Sequence, residues 1–196
     1  MSICQRKKNN MKQVIGVTGR VGVGKTFLVN GLADSLANYE VVDLDLIGHE
    51  VLQKAAVKED LIKLFGKKIL TESNEINRKQ LGALVFSKKE YLDSLNAISH
   101  PWIKKIAQER IQKSTFPIII MVGALIKEIE LLNECNFVVL IQADHEQRRH
   151  NLKSKKNIES FQGSDDDYKV FSTHIFENVF SKDSVENFSK LVQNLL

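Results

Sequence analysis

Eight consecutive residues, Gly19-Arg20-Val21-Gly22-Val23-Gly24-Lys25-Thr26, constrain this chain more than any other feature of its sequence. They follow a short apolar run, Val14-Ile15-Gly16-Val17-Thr18, and precede a segment with Leu28, Leu32 and Leu36 at helical spacing. G-x-x-x-x-G-K-[ST] between a buried strand and a helix is the pattern of a phosphate-binding loop. Glycines let successive backbone N–H groups turn toward phosphate oxygens, and the helix N-terminus adds the positive end of its dipole. Lys25 is then expected to reach the outer phosphates and the Thr26 hydroxyl to ligate magnesium. The expected ligands are ATP and Mg2+, with Gly19, Arg20, Val21, Gly22, Val23, Gly24, Lys25, Thr26 and Phe27 as the nucleotide-contacting run.

The remaining pattern supplies a scaffold for such a loop. Val41-Val42, the run from Phe116 to Val122, Phe137 to Ile141 and Thr173 to Phe176 read as further short strands. Helical spacing is expected over 25–37, around Ile47, Val51 and Leu52, over most of 58–115 with breaks near Gly66 and at 71–77, and through Val185, Phe188, Leu191, Val192 and Leu195 at the end. Continuous apolar strands separated by helices imply an α/β fold with a five-stranded parallel sheet covered on both faces. Ligands of such sheets bind at the carboxyl ends of the strands.

Charge narrows the choice of partners. The chain has 28 Lys and Arg against 24 Asp and Glu, and Arg6, Lys7, Lys8 and Lys12 account for the whole excess. The body is neutral, with no basic stripe of the kind that nucleic-acid binding requires. Residues 1–12 read as a solvated basic tail before one domain over 13–196, and Met11 is a second possible start. The basic beginning runs into Asn9-Asn10 rather than an apolar stretch, so no secretory signal is expected. The longest apolar run, 117–126, is too short to cross a bilayer. Cys4 and Cys135 make no disulfide framework, and Cys135 reads as a small buried hydrophobe. These features lead to the expectation of a cytoplasmic protein with neither nucleic-acid nor membrane partners.

Asp43-Leu44-Asp45 ends the second strand, where both carboxylates belong to the ligand edge. One of the pair can cap the following helix while the other faces the nucleotide and accepts a proton from an attacking hydroxyl. The pattern leaves open which does which.

With these residues in view, the chain resembles the dephospho-coenzyme A kinase family of P-loop kinases, from about Val14 to the C-terminus. The resemblance is carried by the phosphate loop and by Val42-Asp43-Leu44-Asp45 followed by Ile47. It continues through Leu64-Phe65-Gly66 with Ile69-Leu70, Ile76-Asn77-Arg78 with Leu81-Gly82 and Val85-Phe86, His100-Pro101, Gln147 and Asn178. It implies a three-layer P-loop kinase fold with a helical substrate lobe near 60–115 and a lid near 148–170. The implied reaction is phosphorylation of the ribose 3′-hydroxyl of dephospho-coenzyme A by ATP. Asp45 then takes the place of the base, Arg78 and His100 face the acceptor, and Asn178 lies on the adenine side.

The chain departs from the family at several positions. Arg20 stands where glycine is usual, His49 where an arginine follows the aspartate pair, Gly123-Ala124-Leu125 in place of Pro-Leu-Leu, and Lys127 in place of a glutamate. The two lid arginines align with His150 and Ser154, neither of which carries a guanidinium fork. Arg149, one residue from the expected place, is the candidate catalytic cation. Arg148 is second, and Lys153, Lys155 and Lys156 lie nearby. His100 has an alternative as a capping or packing residue, and Trp102 is expected to pack the helical lobe. Two other functions stay open at this point: a P-loop kinase of another nucleoside or nucleotide acceptor, and a nucleotide-binding relative without turnover.

Overall fold

The computed structural model describes residues 12–152 and 160–196. Readings that concern residues 1–11, and Lys153, Ser154, Lys155 and Lys156 of the lid, lie outside the described residues. Lys12, read above as the end of a solvated tail, belongs to the fold. Its ammonium donates to the carbonyls of Ile111 and Gln112 at 2.7 and 2.6 Å. A cation there satisfies acceptors that the last turn of a helix leaves open.

Five strands, β1 (Gln13–Thr18), β2 (Tyr39–Asp43), β3 (Ile118–Val122), β4 (Phe137–Gln142) and β5 (His174–Glu177), form one parallel sheet in the order β2-β3-β1-β4-β5. β1 is central, and the chain moves to one side of it for β2 and β3 and to the other for β4 and β5. Such a change of direction opens a crevice above the carboxyl end of the central strand. Register levels the edge there, because Val17 of β1 and Asp43 of β2 both pair with Val122 of β3.

Strand alternation divides the core into two layers. Val14, Val42, Ile119 and Met121 face α2 (Leu44–Val51), α3 (Ala55–Phe65), α4 (Arg78–Val85) and the 25-residue α5 (Lys89–Lys113). Ile15, Val17, Ile120, Val122, Val139 and Ile141 face α1 (Lys25–Gly31) and the C-terminal helix. Short helices His145–Asn151 and Asp165–Lys169 (α6 and α7) lie between β4 and β5, and Lys182–Leu195 is α8. Phe188 of α8 is fully buried and meets the ring of Phe176 edge-on at 5.3 Å. Phe188→Ala should destabilise the fold by about 3–5 kcal/mol, read as a lower urea midpoint at unchanged slope.

Two expected boundaries move. α1 stops at Gly31 and continues only as a single tighter turn, Leu32–Asp34, before Asn38 adopts a left-handed φ of 57°. Glycine is among the poorest helix formers, and Asn tolerates the left-handed region. The helical lobe begins at Ala55 rather than 58 and is broken again between Val85 and Lys89. Pro101 lies inside α5 without ending it.

Candidate phosphate-binding and phosphoryl-transfer site

The loop leaves β1 after Thr18 and feeds α1 at Lys25. Two of its glycines are required by both conformation and space. Gly19 has φ 137°, and a Cβ there would stand 2.4 Å from the Ile141 carbonyl oxygen. Gly24 has φ 87°, and a Cβ would stand 2.3 Å from Asn178 Nδ2 and 2.6 Å from the Phe180 ring. The loop is thus pressed from behind by β4 and by the turn after β5. This is a cradle of the kind a phosphate chain fits. The Lys25 ammonium is half-buried within it, donating to the Gly19 and Arg20 carbonyls at 2.7 and 3.0 Å. Thr26 is exposed in the first turn of α1. Val23 turns its side chain the other way, into the core.

Asn178 buttresses this geometry. It is fully buried; its Nδ2 donates to the Val23 carbonyl at 2.9 Å, and its Oδ1 accepts the Phe180 N–H at 2.9 Å. Both ends of the amide therefore hold backbone, one in the phosphate loop and one in the turn where Phe180 takes φ 56°. Phe27, expected at the end of the nucleotide-contacting run, is 43% exposed and pairs with Phe180 at 6.2 Å between ring centroids.

The aspartate pair separates into two roles. Asp43 is the N-cap of α2, its Oδ1 accepting the N–H groups of Asp45 and Leu46 at 2.8 and 3.1 Å. Asp45 lies in the first turn of α2, exposed at the carboxyl edge of the sheet. Its direction is set by entry into the helix. His49 follows one helical turn later, on the same face. His49 Nε2 meets the Arg78 guanidinium. Arg78 is the first residue of α4, whose N-cap Asn77 accepts the Gln80 N–H at 3.1 Å. Arginine can only donate, so a hydrogen bond here has Nε2 as its acceptor. The His49–Arg78 contact thus joins α2 to α4.

Two arms, each a segment of the expected lid region, meet the loop. In the first arm, Asp144 caps α6 by accepting from Glu146 and Gln147 N–H groups at 2.8 and 3.4 Å, and these bonds hold its carboxyl below the usual range. That cap sets the helix phase, and the phase gives the two candidate arginines different surroundings. Arg148 is buried, and a Cβ on Gly22 would lie 3.0 Å from its Cγ, whereas Arg149 is exposed. Successive helical residues point about 100° apart, so a neighbour in sequence is not a neighbour in space. Arg148→Ala should therefore lower kcat by roughly tenfold or more, while Arg149→Ala should stay within about twofold. Initial rates decide between them, with Arg148→Met as the control for lost packing.

Asn151 Nδ2 donates to the Gly22 carbonyl at 3.3 Å. From the second arm, Gln162 Oε1 accepts the Val21 N–H at 2.7 Å. Near α7, the Tyr168 hydroxyl is pushed up to about 12, chiefly by burial and then by Glu128, against the opposing charge of Arg20. No periodicity or motif around Gln162, Asn151 or Phe180 marks them for the site; each is brought there by the path of the chain between β4 and α8.

His100 lies on α5. It lines a groove of about 570 Å³ between α5 and residues 128–130, with Lys104 and Glu130 on its walls. Burial lowers its pKa, opposed by the hydrogen bond it donates to the Glu128 backbone carbonyl. Trp102, also on α5, packs against the helical lobe with Lys54 and Lys105 over its ring, as expected.

The comparison with known families bears directly on this arrangement. A model of the dephospho-CoA kinase (CoaE) family matches residues 13–166. The chain belongs to the dephospho-CoA kinase family. A dephospho-CoA kinase of Borreliella burgdorferi is 36% identical over 149 residues, covering 75% of this chain and 71% of the relative. One from Fusobacterium nucleatum is 32% identical over 145 residues, 74% of each chain. Among solved structures, a Thermus thermophilus protein superposes with a TM-score of 0.76 at 25% identity, covering 95% of this chain and 98% of its own. A Campylobacter jejuni dephospho-CoA kinase superposes at 0.61 with 22% identity, a likeness of fold. The five-stranded parallel sheet with flanking helices is the P-loop kinase fold of these neighbours, and the family is one of P-loop kinase-class enzymes. Among the described residues no helix is long and apolar enough to cross a membrane.

Proposed function

We propose that this chain phosphorylates the ribose 3′-hydroxyl of dephospho-coenzyme A with ATP. The observation that carries the reading is Asp45: a carboxylate left exposed at the carboxyl edge beside a complete phosphate loop, because Asp43 is used as the helix cap. In this reading the Asp45 carboxylate orients the 3′-hydroxyl and takes its proton as the oxygen attacks the γ-phosphorus. The bond from that phosphorus to the β,γ-bridging oxygen breaks, and ADP leaves. Phosphoryl transfer asks a protein chiefly for positioning and charge neutralisation. The loop N–H groups and the Lys25 ammonium hold the phosphates, and Arg78, held by His49, reaches the acceptor. Arg148 packs against the loop as its nearest lid cation among the described residues of α6.

Magnesium, when bound, would neutralise phosphate charge. The Thr26 hydroxyl is its protein ligand in this reading. Among the described residues there is no cluster of three His, Cys, Asp or Glu that could hold a metal. A site completed by phosphate oxygens and water has no need of one.

Purified protein incubated with ATP, magnesium and dephospho-coenzyme A should yield coenzyme A, identified by mass. Turnover only with a nucleoside or nucleotide acceptor would overturn the assigned acceptor. ATP binding without turnover on any acceptor would overturn the assignment as an enzyme.

A further inference from the structure

Two adjacent side chains of the second lid arm touch the two halves of the site. The ring of Phe161 packs against that of Phe86, with centroids 5.7 Å apart and planes at 40°. Phe86 is the C-cap of α4, the helix that begins with Arg78 in the helical lobe. The next residue, Gln162, accepts the Val21 N–H at 2.7 Å from within the phosphate loop. Both Phe161 and Gln162 are half-buried. One step along the chain therefore separates a contact to the helical lobe from a contact to the loop.

The chemistry of each contact suits a link. The Gln162 amide oxygen is an uncharged acceptor, so it can hold a loop N–H without adding negative charge beside phosphates. The aromatic pair has preferred offset or edge geometries, so a shift of Phe86 is passed on as a change of arrangement instead of being absorbed smoothly.

We infer that Phe161 and Gln162 couple the helical lobe to the phosphate loop, with Gln162 as a positioning residue for the Val21 N–H. An acceptor that moves α4 thereby changes the loop's fit to nucleotide, and the two affinities are linked reciprocally. The nature of the acceptor rests on the function proposed above, whereas the coupling is measured first without any ligand.

In ligand-free 15N-labelled protein, Gln162→Leu should shift the Val21 amide resonance and speed its hydrogen exchange by about fivefold or more. Phe86→Leu leaves Gln162 in place, yet should move the Val21 resonance in the same direction. Tyr91→Leu, at the Phe65–Tyr91 pair of the same lobe, should leave Val21 as in the parent. If Phe86→Leu does not fold, Phe161→Leu asks the same question from the lid side.

The second measurement is the Kd of a non-hydrolysable ATP analogue with and without saturating dephospho-coenzyme A. The parent should show a ratio of about fivefold or more. Gln162→Leu and Phe161→Leu should each bring it near one, and the double variant should go no further. A Val21 amide indifferent to Phe86→Leu and Phe161→Leu overturns the coupling whatever the acceptor is. So does an undiminished ratio in both variants of a protein that makes coenzyme A. A parent that binds no dephospho-coenzyme A overturns the acceptor assignment, and the Val21 result then decides the coupling by itself.

Discussion

Lys25→Ala should lower kcat/KM by at least about 10³ while leaving the circular dichroism spectrum unchanged. Removing a single preorganised donor from a developing negative charge commonly costs about 10²–10³. Lys25 also contributes a full charge, held half-buried at the Gly19 and Arg20 carbonyls in the mouth of the loop. The fold should tolerate the change, since the loop is shaped from behind by Ile141, Asn178 and Phe180 rather than by the lysine. Arginine at this position should not restore activity, because a planar fork cannot replace a compact ammonium between two carbonyls. Near-normal turnover of the alanine variant would remove the loop from the mechanism. Thermal unfolding of the same samples separates lost chemistry from lost fold.

Asp45→Asn should lower kcat by roughly 10²–10⁴, the range for loss of a positioned general base, with the ATP Kd changed by less than about twofold. Asparagine keeps the shape and exposure of the side chain and removes its basicity. Asp43→Asn should cost much less, since an asparagine oxygen caps a helix about as well as a carboxylate. The contrast is best read with both variants at one pH: a fall in kcat for Asp45→Asn, and at most a slight fall in unfolding midpoint for Asp43→Asn. A larger kcat loss at Asp43 would exchange the roles of the pair. The capping geometry makes that exchange hard to accommodate, because Asp43 Oδ1 is already shared between two backbone donors.

Much of the architecture is legible in the sequence. Apolar runs such as 137–141 carry their own evidence of burial, and an all-parallel sheet follows from helices between them. The loop was legible for a different reason: Gly19 and Gly24 are local necessities of a tight phosphate-facing turn, so the requirement is written at consecutive positions. Less was legible at element ends. α1 was expected to run to Ala37 but gives way after Gly31, since apolar spacing alone does not register where packing and a left-handed residue end a helix.

The lid shows the limit most clearly. Arg148 and Arg149 are equivalent by composition and charge, and adjacency to an expected position favoured Arg149. The Asp144 cap fixes the rotation of α6, and that rotation brings Arg148 to Gly22. Asn178 offers a similar case, a residue placed on the adenine side by resemblance whose amide is shared between Val23 and Phe180. By itself the sequence determined the class of fold, the phosphate loop, the aspartate pair and the family. Each of these is encoded in short-range order, either as periodicity or as fixed spacing. Only the tertiary structure decided which aspartate caps, which arginine meets the loop, that His49 holds Arg78, and that Gln162 holds Val21. Those contacts join segments far apart in the chain, and side-chain direction across such distances is set by helix phase and packing, which no local pattern records.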